Sequence, residues 1–352
     1  MTDVDIAVIG GGIIGALVAR EITTRAPRSR VTVIDRDVVA SGATRRSAGL
    51  HFPRGATPRV RDMAGRSQTF YEELLGGEPA LPIHPLALHV LSSDAAAVER
   101  DYLGGAGLVP TRSVPGGLVT APEGTSLWTG RGCQYADVGA LTEALTLRLR
   151  PRVAFREGTA VTAVEPGPSA VTLRLSTGET LTAAKAVLAP GPWIADPAWR
   201  SLVEPLGARV KKIVALHVDK APQAHDGAVV FEDHDAFLLP LHHRGHWLFS
   251  FTSPEWDVKP DEITAGLSAA DLAQAHAVLA HYAPDLSAHA TSGRVFCDAY
   301  SPAREPLVRA LDDGARVVFA GAANGSGYRL APAIAAEAAD LLRIRTAQRN
   351  PA

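Results

Sequence analysis

Val4-Asp5-Ile6-Ala7-Val8-Ile9-Gly10-Gly11-Gly12-Ile13-Ile14-Gly15 reads as a short apolar strand running into the pattern G-x-G-x-x-G. Good helix formers fill Ala16 to Arg25. Val31-Thr32-Val33-Ile34-Asp35 then gives a second strand, ending on a carboxylate twenty residues past Gly15. Strand, glycine turn, helix, strand and acid in that order form the fingerprint of a dinucleotide-binding βαβ unit. Each glycine has its own task. Gly10 permits the tight turn, Gly12 lets the backbone approach a pyrophosphate, and Gly15 lets helix and strand pack closely. Ile13 and Ile14 open the helix, whose unpaired N–H groups and positive dipole end attract phosphates. Asp35 can accept hydrogen bonds from ribose hydroxyls.

The chain has 352 residues, more than one average domain, and two interleaved lobes are expected. Hydrophobic residues at 46% and charged residues at 20% give ample core, and a net charge of −2 argues against a nucleic-acid or membrane-surface partner. Cys133 and Cys297 lack any C-x-x-C pairing, so neither a disulfide framework nor a zinc ribbon is indicated. No apolar run is long enough for a bilayer span. The first strand opens close to Met1 and leaves no room for a leader peptide, so the expected location is the cytoplasm.

After Asp35 and Arg36 comes Ser41-Gly42-Ala43-Thr44-Arg45-Arg46-Ser47-Ala48-Gly49-Leu50-His51, where small residues and hydroxyls crowd together. Such a loop can place N–H groups and hydroxyls around a phosphate or a flat ring. With the βαβ unit before it, this segment resembles the second flavin-binding loop of FAD-dependent oxidoreductases of the D-amino acid oxidase superfamily, which includes glycine oxidase and monomeric sarcosine oxidase. The resemblance implies an α/β fold: a Rossmann-type FAD-binding domain interleaved with an antiparallel-sheet substrate domain. The expected FAD-binding parts are 1–80, 137–200 and 290–352, and the expected substrate-binding parts are 81–136 and 201–289.

The rest of the chain is read in those terms. Pro58 to Leu75 has helical spacing, closed by Gly76-Gly77. Proline and glycine clusters punctuate Leu81 to Gly130 around a strand at Leu86 to Leu91. Asp137 to Leu149 reads as an amphipathic helix. Strands follow around Val153, Val161, Val171 and Thr180 to Leu188. From Leu206 to Trp256 strand patterns recur with connections too short for helical crossovers, so antiparallel hairpins are expected. By the resemblance, Val161 contacts adenine, and Ala189-Pro190-Gly191-Pro192-Trp193 closes over the flavin ribityl region. Pro190 departs from the family pattern there by removing a backbone donor.

Near the C-terminus, Ala315 to Gly321 reads as a strand, and Asn324-Gly325-Ser326-Gly327-Tyr328-Arg329-Leu330 opens a helix running to Leu342. This resembles the family's last flavin motif, in which a helix N-terminus faces the flavin ring and stabilises negative charge as a hydride arrives. The resemblance covers nearly the whole chain in the correct order, about one residue longer in the loop before this helix.

An amine can lend its lone pair as hydride leaves the neighbouring carbon, so orientation matters more than a dedicated base, and a carboxylate substrate calls for a fixed cation. Arg329 matches the position of a basic carboxylate-binding residue in sarcosine-oxidase-like enzymes. Arg45, Arg46, His51 and Arg54 follow the second flavin loop closely enough to line the same cavity. Tyr300 stands where glycine and D-amino acid oxidases hold an arginine and sarcosine oxidase has tyrosine, which leans towards secondary amines. Cys297 lies one position from the cysteine that carries covalent flavin in the sarcosine-oxidase group, so a thioether is one option beside non-covalent FAD. The strand Trp247 to Phe251 has no oxygen-activating lysine, and Lys259 falls on a loop. His242 and His243, as adjacent strand residues, would point to opposite faces, so no metal is expected there.

The expected activity is FAD-dependent oxidation of a C–N bond in a small amine or amino acid to an imine, with O2 reoxidising the flavin to give H2O2. The alternatives are a 2-hydroxy-acid dehydrogenase, with His51 as its base, and a flavin-binding subunit active only within a complex. Substrate identity and oligomeric state stay open.

Overall fold

A computed structural model describes residues 2–263 and 266–344. Its strands, in chain order, begin with β1 (Val4–Ile9), β2 (Val31–Ile34), β3 (Leu50–His51), β4 (Ile83–Ser92), β5 (Val109–Pro110) and β6 (Ser126–Ala136). Next come β7 (Val153–Arg156), β8 (Val161–Pro166), β9 (Val171–Leu175), β10 (Thr180–Leu188) and β11 (Arg209–Val218). The last are β12 (Ala228–Phe231), β13 (Ala236–Leu241), β14 (His246–Trp256), β15 (Ser292–Tyr300), β16 (Leu307–Ala310) and β17 (Val317–Gly321). The chain divides into two compact units. The first comprises the segment up to Ser47, Val138–Val210 and the chain from Asp298 on; the second comprises Ala48–Asp137 and Lys211–Cys297.

The first unit is built on a sheet in the order β16-β17-β10-β1-β2-β7, with β9 and β8 attached to β10. β1 runs parallel to both β2 and β10, and β10 runs parallel to β17. Parallel strands need helical crossovers, and Ile13–Arg25 supplies the first of them. Ile6 to Ile9 are buried, as are all four residues of β2, as a strand covered on both faces requires. Helix Gly327–Leu341 also belongs to this unit, with Pro332 inside it.

The second unit holds a sheet in the order β15-β11-β14-β13-β12-β4-β6-β3, with β5 on β6. One face packs Val214, Leu216, Trp247 and Phe249 against Ala275, Leu279 and Tyr282 of helix Ala269–Tyr282. That helix starts in a capping box between Ser268 and Asp271. The opposite face carries Leu88, Val90, Tyr135, Leu239 and Leu248.

Three expectations are corrected. Residues 48–80 belong to the second unit, because β3 pairs with β6 there. β6 itself falls in the stretch read as proline- and glycine-punctuated; Gly130 is required because a Cβ there would lie 2.7 Å from the Ala106 carbonyl oxygen. The substrate-domain sheet is also mixed, since β12 pairs with β4 in parallel. The fold class otherwise matches, down to the antiparallel β11–β14, β13–β14 and β12–β13 ladders. The part of the expected 290–352 segment beyond Ile344 lies outside the described residues.

Candidate functional site

The glycine turn of the first unit is held from three sides. Gly10 has φ +106, and a Cβ on it would stand 2.2 Å from the Ala189 carbonyl oxygen. On Gly15 a Cβ would meet the Gly10 oxygen at 1.9 Å, so the helix packs where only glycine fits. On Gly12 it would press on the Thr44 hydroxyl at 2.9 Å. Thr44 is buried, and its hydroxyl accepts the Ile13 N–H at 3.0 Å. Gly12 itself caps helix Ile13–Arg25 without a side-chain hydrogen bond of its own, so the Thr44 hydroxyl on Ile13 takes the place of a capping side chain. This is a cradle fit for a pyrophosphate, and the residues present fit FAD.

Asp35 fixes the rim. One carboxylate oxygen accepts the Gly11 N–H at 2.6 Å and the other the Asp37 N–H at 2.9 Å. Burial raises its pKa against the pull of those two donors. Both oxygens keep lone pairs for further donors. The next residue, Arg36, lays its guanidinium over Trp193, 4.2 Å from the ring centroid. Gly42 comes so close to that ring that a Cβ would touch it at 3.1 Å. Trp193 thus ties the second loop to the Ala189–Trp193 turn, where Gly191 has φ +59. Val161 is buried at the start of β8, opposite Leu175.

The C-terminal loop is templated by the end of β15. Asn324 donates its N–H to the Ala299 oxygen and accepts the Ser301 N–H on its side chain. Tyr300 bridges to Ala323. Asp298 accepts from Ala299 at 2.8 Å and from Gly325 at 3.1 Å, and burial pushes its carboxyl up to about 6. Ala322, Asn324 and Gly325 all take left-handed backbone conformations, which delays the helix to Gly327. Arg329 is 8% exposed and donates to the Ser326 hydroxyl at 2.9 Å, and Tyr328 and Leu330 are buried beside it.

Several sequence candidates have other employment. Arg45 is exposed and paired with Glu143 at 2.6 Å, and Arg46 is exposed. His51 is fully buried in the second unit, 2.6 Å from the Gln68 side chain and edge-on to Tyr71. Arg54 is paired with Glu232 at 2.8 Å and Asp101 at 3.5 Å, and Tyr102 donates to the same Glu232. Gly49 has φ +71 and receives the Ala136 N–H on its oxygen, which makes it, with Ala48, part of the second unit. Lys259 is exposed and paired with Glu262. Cys297 is buried on β15 and is in no disulfide among the described residues.

The histidines at and after His242 join a cluster in the second unit. His242 and His243 lie in a helical turn rather than a strand. His242 bonds the Asp226 carbonyl, while His243 accepts the Arg244 N–H at Nε2 and donates its Nδ1–H to the Tyr135 hydroxyl. His84 stacks on both Tyr135 and His243. Arg244 continues to Asp137 at 2.5 Å. Among the described residues no group of three or more His, Cys, Asp or Glu side chains could hold a metal ion.

A family model described as "FAD dependent oxidoreductase" matches residues 5–341. The chain belongs to this family of FAD-dependent oxidoreductases. No curated protein sequence matches it. Among solved structures, glycine oxidase from Geobacillus kaustophilus is 19% identical, with a TM-score of 0.78 over 99% of this chain and 97% of that one. L-proline dehydrogenase from P. horikoshii is 17% identical, with a TM-score of 0.80 over 99% and 96%. L-α-glycerophosphate oxidase from Mycoplasma pneumoniae, solved with FAD bound, is 16% identical, with a TM-score of 0.78 over 99% and 97%. Identities this low speak for the fold and leave the substrate open. Among the described residues no helix is long and apolar enough to cross a membrane.

Proposed function

We propose that this FAD-dependent oxidoreductase removes a hydride and a proton from a small amine or amino acid, leaving an imine, and that O2 takes the two electrons to give H2O2. The observation that carries the choice of an amine is His51. An alcohol needs a base for its hydroxyl proton, and the histidine nearest the second flavin loop in sequence is fully buried against Gln68. An amine does not need that base, because its own lone pair drives the hydride out. The names of the similar structures lean the same way: glycine oxidase, L-proline dehydrogenase and an L-amino acid deaminase are amino-acid enzymes by title, while one glycerophosphate oxidase is not.

FAD, when bound, supplies the two-electron acceptor. The glycine turn, the Thr44 loop and Asp35 would hold its pyrophosphate and ribose, with Trp193 and Arg36 beyond them. Ser326 and Gly327 open the last helix, and Arg329 keeps a buried positive charge in its first turn. The helix's own N–H groups already favour negative charge there. Asn324 and Asp298 position this loop by bonding its backbone to β15. Tyr300 contributes a phenol within reach of the same loop, since a Cβ on Gly325 would lie 3.2 Å from its hydroxyl oxygen.

The test is an anaerobic screen of the purified yellow protein against amines, amino acids and 2-hydroxy acids. Bleaching by amino acids or amines supports the reading, and bleaching by hydroxy acids alone overturns it.

A further inference from the structure

The loop that opens the last helix is fastened by a carboxyl group. Asp298 and Tyr300 stand two apart on β15 and so share a face of that strand. Both reach Gly325: an Asp298 oxygen accepts its N–H at 3.1 Å, and a Cβ there would lie 3.2 Å from the Tyr300 hydroxyl oxygen. The other Asp298 oxygen accepts the Ala299 N–H at 2.8 Å. Helix Gly327–Leu341 begins two residues after Gly325, and Ser326 caps it without a side-chain hydrogen bond. Asp298 is thus bonded to the turn that leads into a helix N-terminus, whose dipole favours negative charge.

No cation is paired with this carboxyl among the described residues, and both of its bonds come from backbone N–H groups. Its own strand carries Arg294, Cys297 and Tyr300, and Arg304 and Glu305 follow it. Loop 322–326 has no ionisable side chain. The helix's first turn brings Tyr328 and Arg329, whose guanidinium is bonded to the Ser326 hydroxyl. The neighbouring strand β11 brings Arg209, Lys211 and Lys212. Lys211 lies over the Trp256 ring, and Lys212 is paired with Asp271 and Glu255. Burial lifts Asp298 to about 6 against the pull of its two N–H donors. Such a carboxyl changes its proton at ordinary pH in response to a change of charge beside it. Negative charge arriving at the same helix end competes with the carboxylate for one positive dipole, and so favours the protonated form.

We propose that Asp298 is a positioning residue that couples reduction of the flavin to uptake of a proton. It holds Gly325 in both states. The substrate's hydride carries two electrons and one proton to FAD, while the Asp298 carboxylate takes one further proton from solvent and returns it on reoxidation. The side chain is half-buried, so solvent can deliver that proton. The proposal rests on the reading above that the last helix meets the flavin, and it is independent of which substrate supplies the hydride.

The test measures midpoint potentials of the FAD-loaded full chain, reduced with dithionite against reference dyes, and needs no substrate. Between about pH 5 and about pH 8 the unmodified protein should fall below Asp298→Asn by a gap that widens by about 30 mV, a tenfold change for a two-electron couple. Infrared difference spectra on reduction at about pH 7 should gain a protonated-carboxyl band that the variant lacks. Asp298→Glu, which keeps an ionisable group, should bring the pH-dependent gap back. Asp298→Ser, whose hydroxyl can still accept the Gly325 N–H, serves if the asparagine variant does not fold. A purely structural role would change FAD content or stability and leave the two potentials parallel. Parallel potentials at every pH, or no carboxyl band on reduction, overturn the proposal. Protein that refuses FAD removes the flavin reading and the proton coupling together. A widening gap in protein that no amine or amino acid bleaches removes the amine chemistry and leaves Asp298 its role.

Discussion

The glycine turn of the first unit and the histidine cluster of the second are specified in opposite ways. At the turn, absent side chains do the specifying: Gly10, Gly12 and Gly15 are positions where a single Cβ would meet an oxygen at 2.9 Å or closer. Gly15 meets Gly10 within the turn, while Gly10 meets Ala189 and Gly12 meets Thr44, so backbone packed from three segments leaves little room for change. In the cluster, side chains do the specifying, brought from β4, β6, β11, β14 and β15, and their partners are ionisable groups whose strengths depend on burial. Cofactor holding is thus written in backbone sterics, and the histidine cluster in side-chain electrostatics.

That contrast can be broken or sharpened by experiment. The largest effect is expected from Gly15→Ala, whose methyl would sit 1.9 Å from the Gly10 oxygen. Helix and turn must separate at a cost of roughly 1–3 kcal/mol or more, and the ratio of bound FAD to protein should drop at least about tenfold. Full FAD content in this variant would show that the turn can give way. Next comes Arg54→Ala in the second unit. It strips the cation from Glu232, whose pKa burial already raises, and from buried Asp101. Denaturant unfolding should show a loss of about 3 kcal/mol, with KM unchanged for any substrate found. A raised KM in still-stable protein would return Arg54 to the substrate site.

Smaller effects probe the joints of the first unit. Asp298 binds its proton more tightly folded than unfolded, since its pKa stands at about 6 against an ordinary 3.8. Its contribution to stability is therefore fullest below the ordinary value and is lost as pH rises through about 6. Asp298→Asn cannot titrate, so the thermal midpoint of the unmodified protein, relative to the variant, should fall as pH goes from about 4 to about 7. A difference independent of pH would show that the carboxylate is well solvated. The smallest change is Thr44→Val, which removes the hydroxyl bonded to Ile13 N–H and should cost about 1 kcal/mol. Calorimetric unfolding would register it.

The fold was legible wherever periodicity and glycine spacing operate over a few residues. β1, the first helix, β2 and β10 all lie where the sequence pattern puts them. β6 escaped because Gly130 and Gly132 read as punctuation, although close approach and a φ of +79 are what this strand needs from them. The unit boundary escaped because β3 is two residues long and declares itself only through its pairing with β6. The cofactor cradle was legible for the same local reasons, but Thr44's bond to Ile13 spans 31 residues and carried no signal. Arg54 and His51 were picked for their nearness in sequence to the second loop, and nothing in the sequence marks Glu232 or Gln68 as their partners. His217 and His246 come together only because β11 pairs with β14.

The central claim is a bound flavin reduced by an amine. Purified protein should be yellow, and adding its amine or amino-acid substrate without oxygen should bleach the visible flavin bands, which air then restores. Well-folded but colourless protein that refuses FAD on reconstitution would contradict the account.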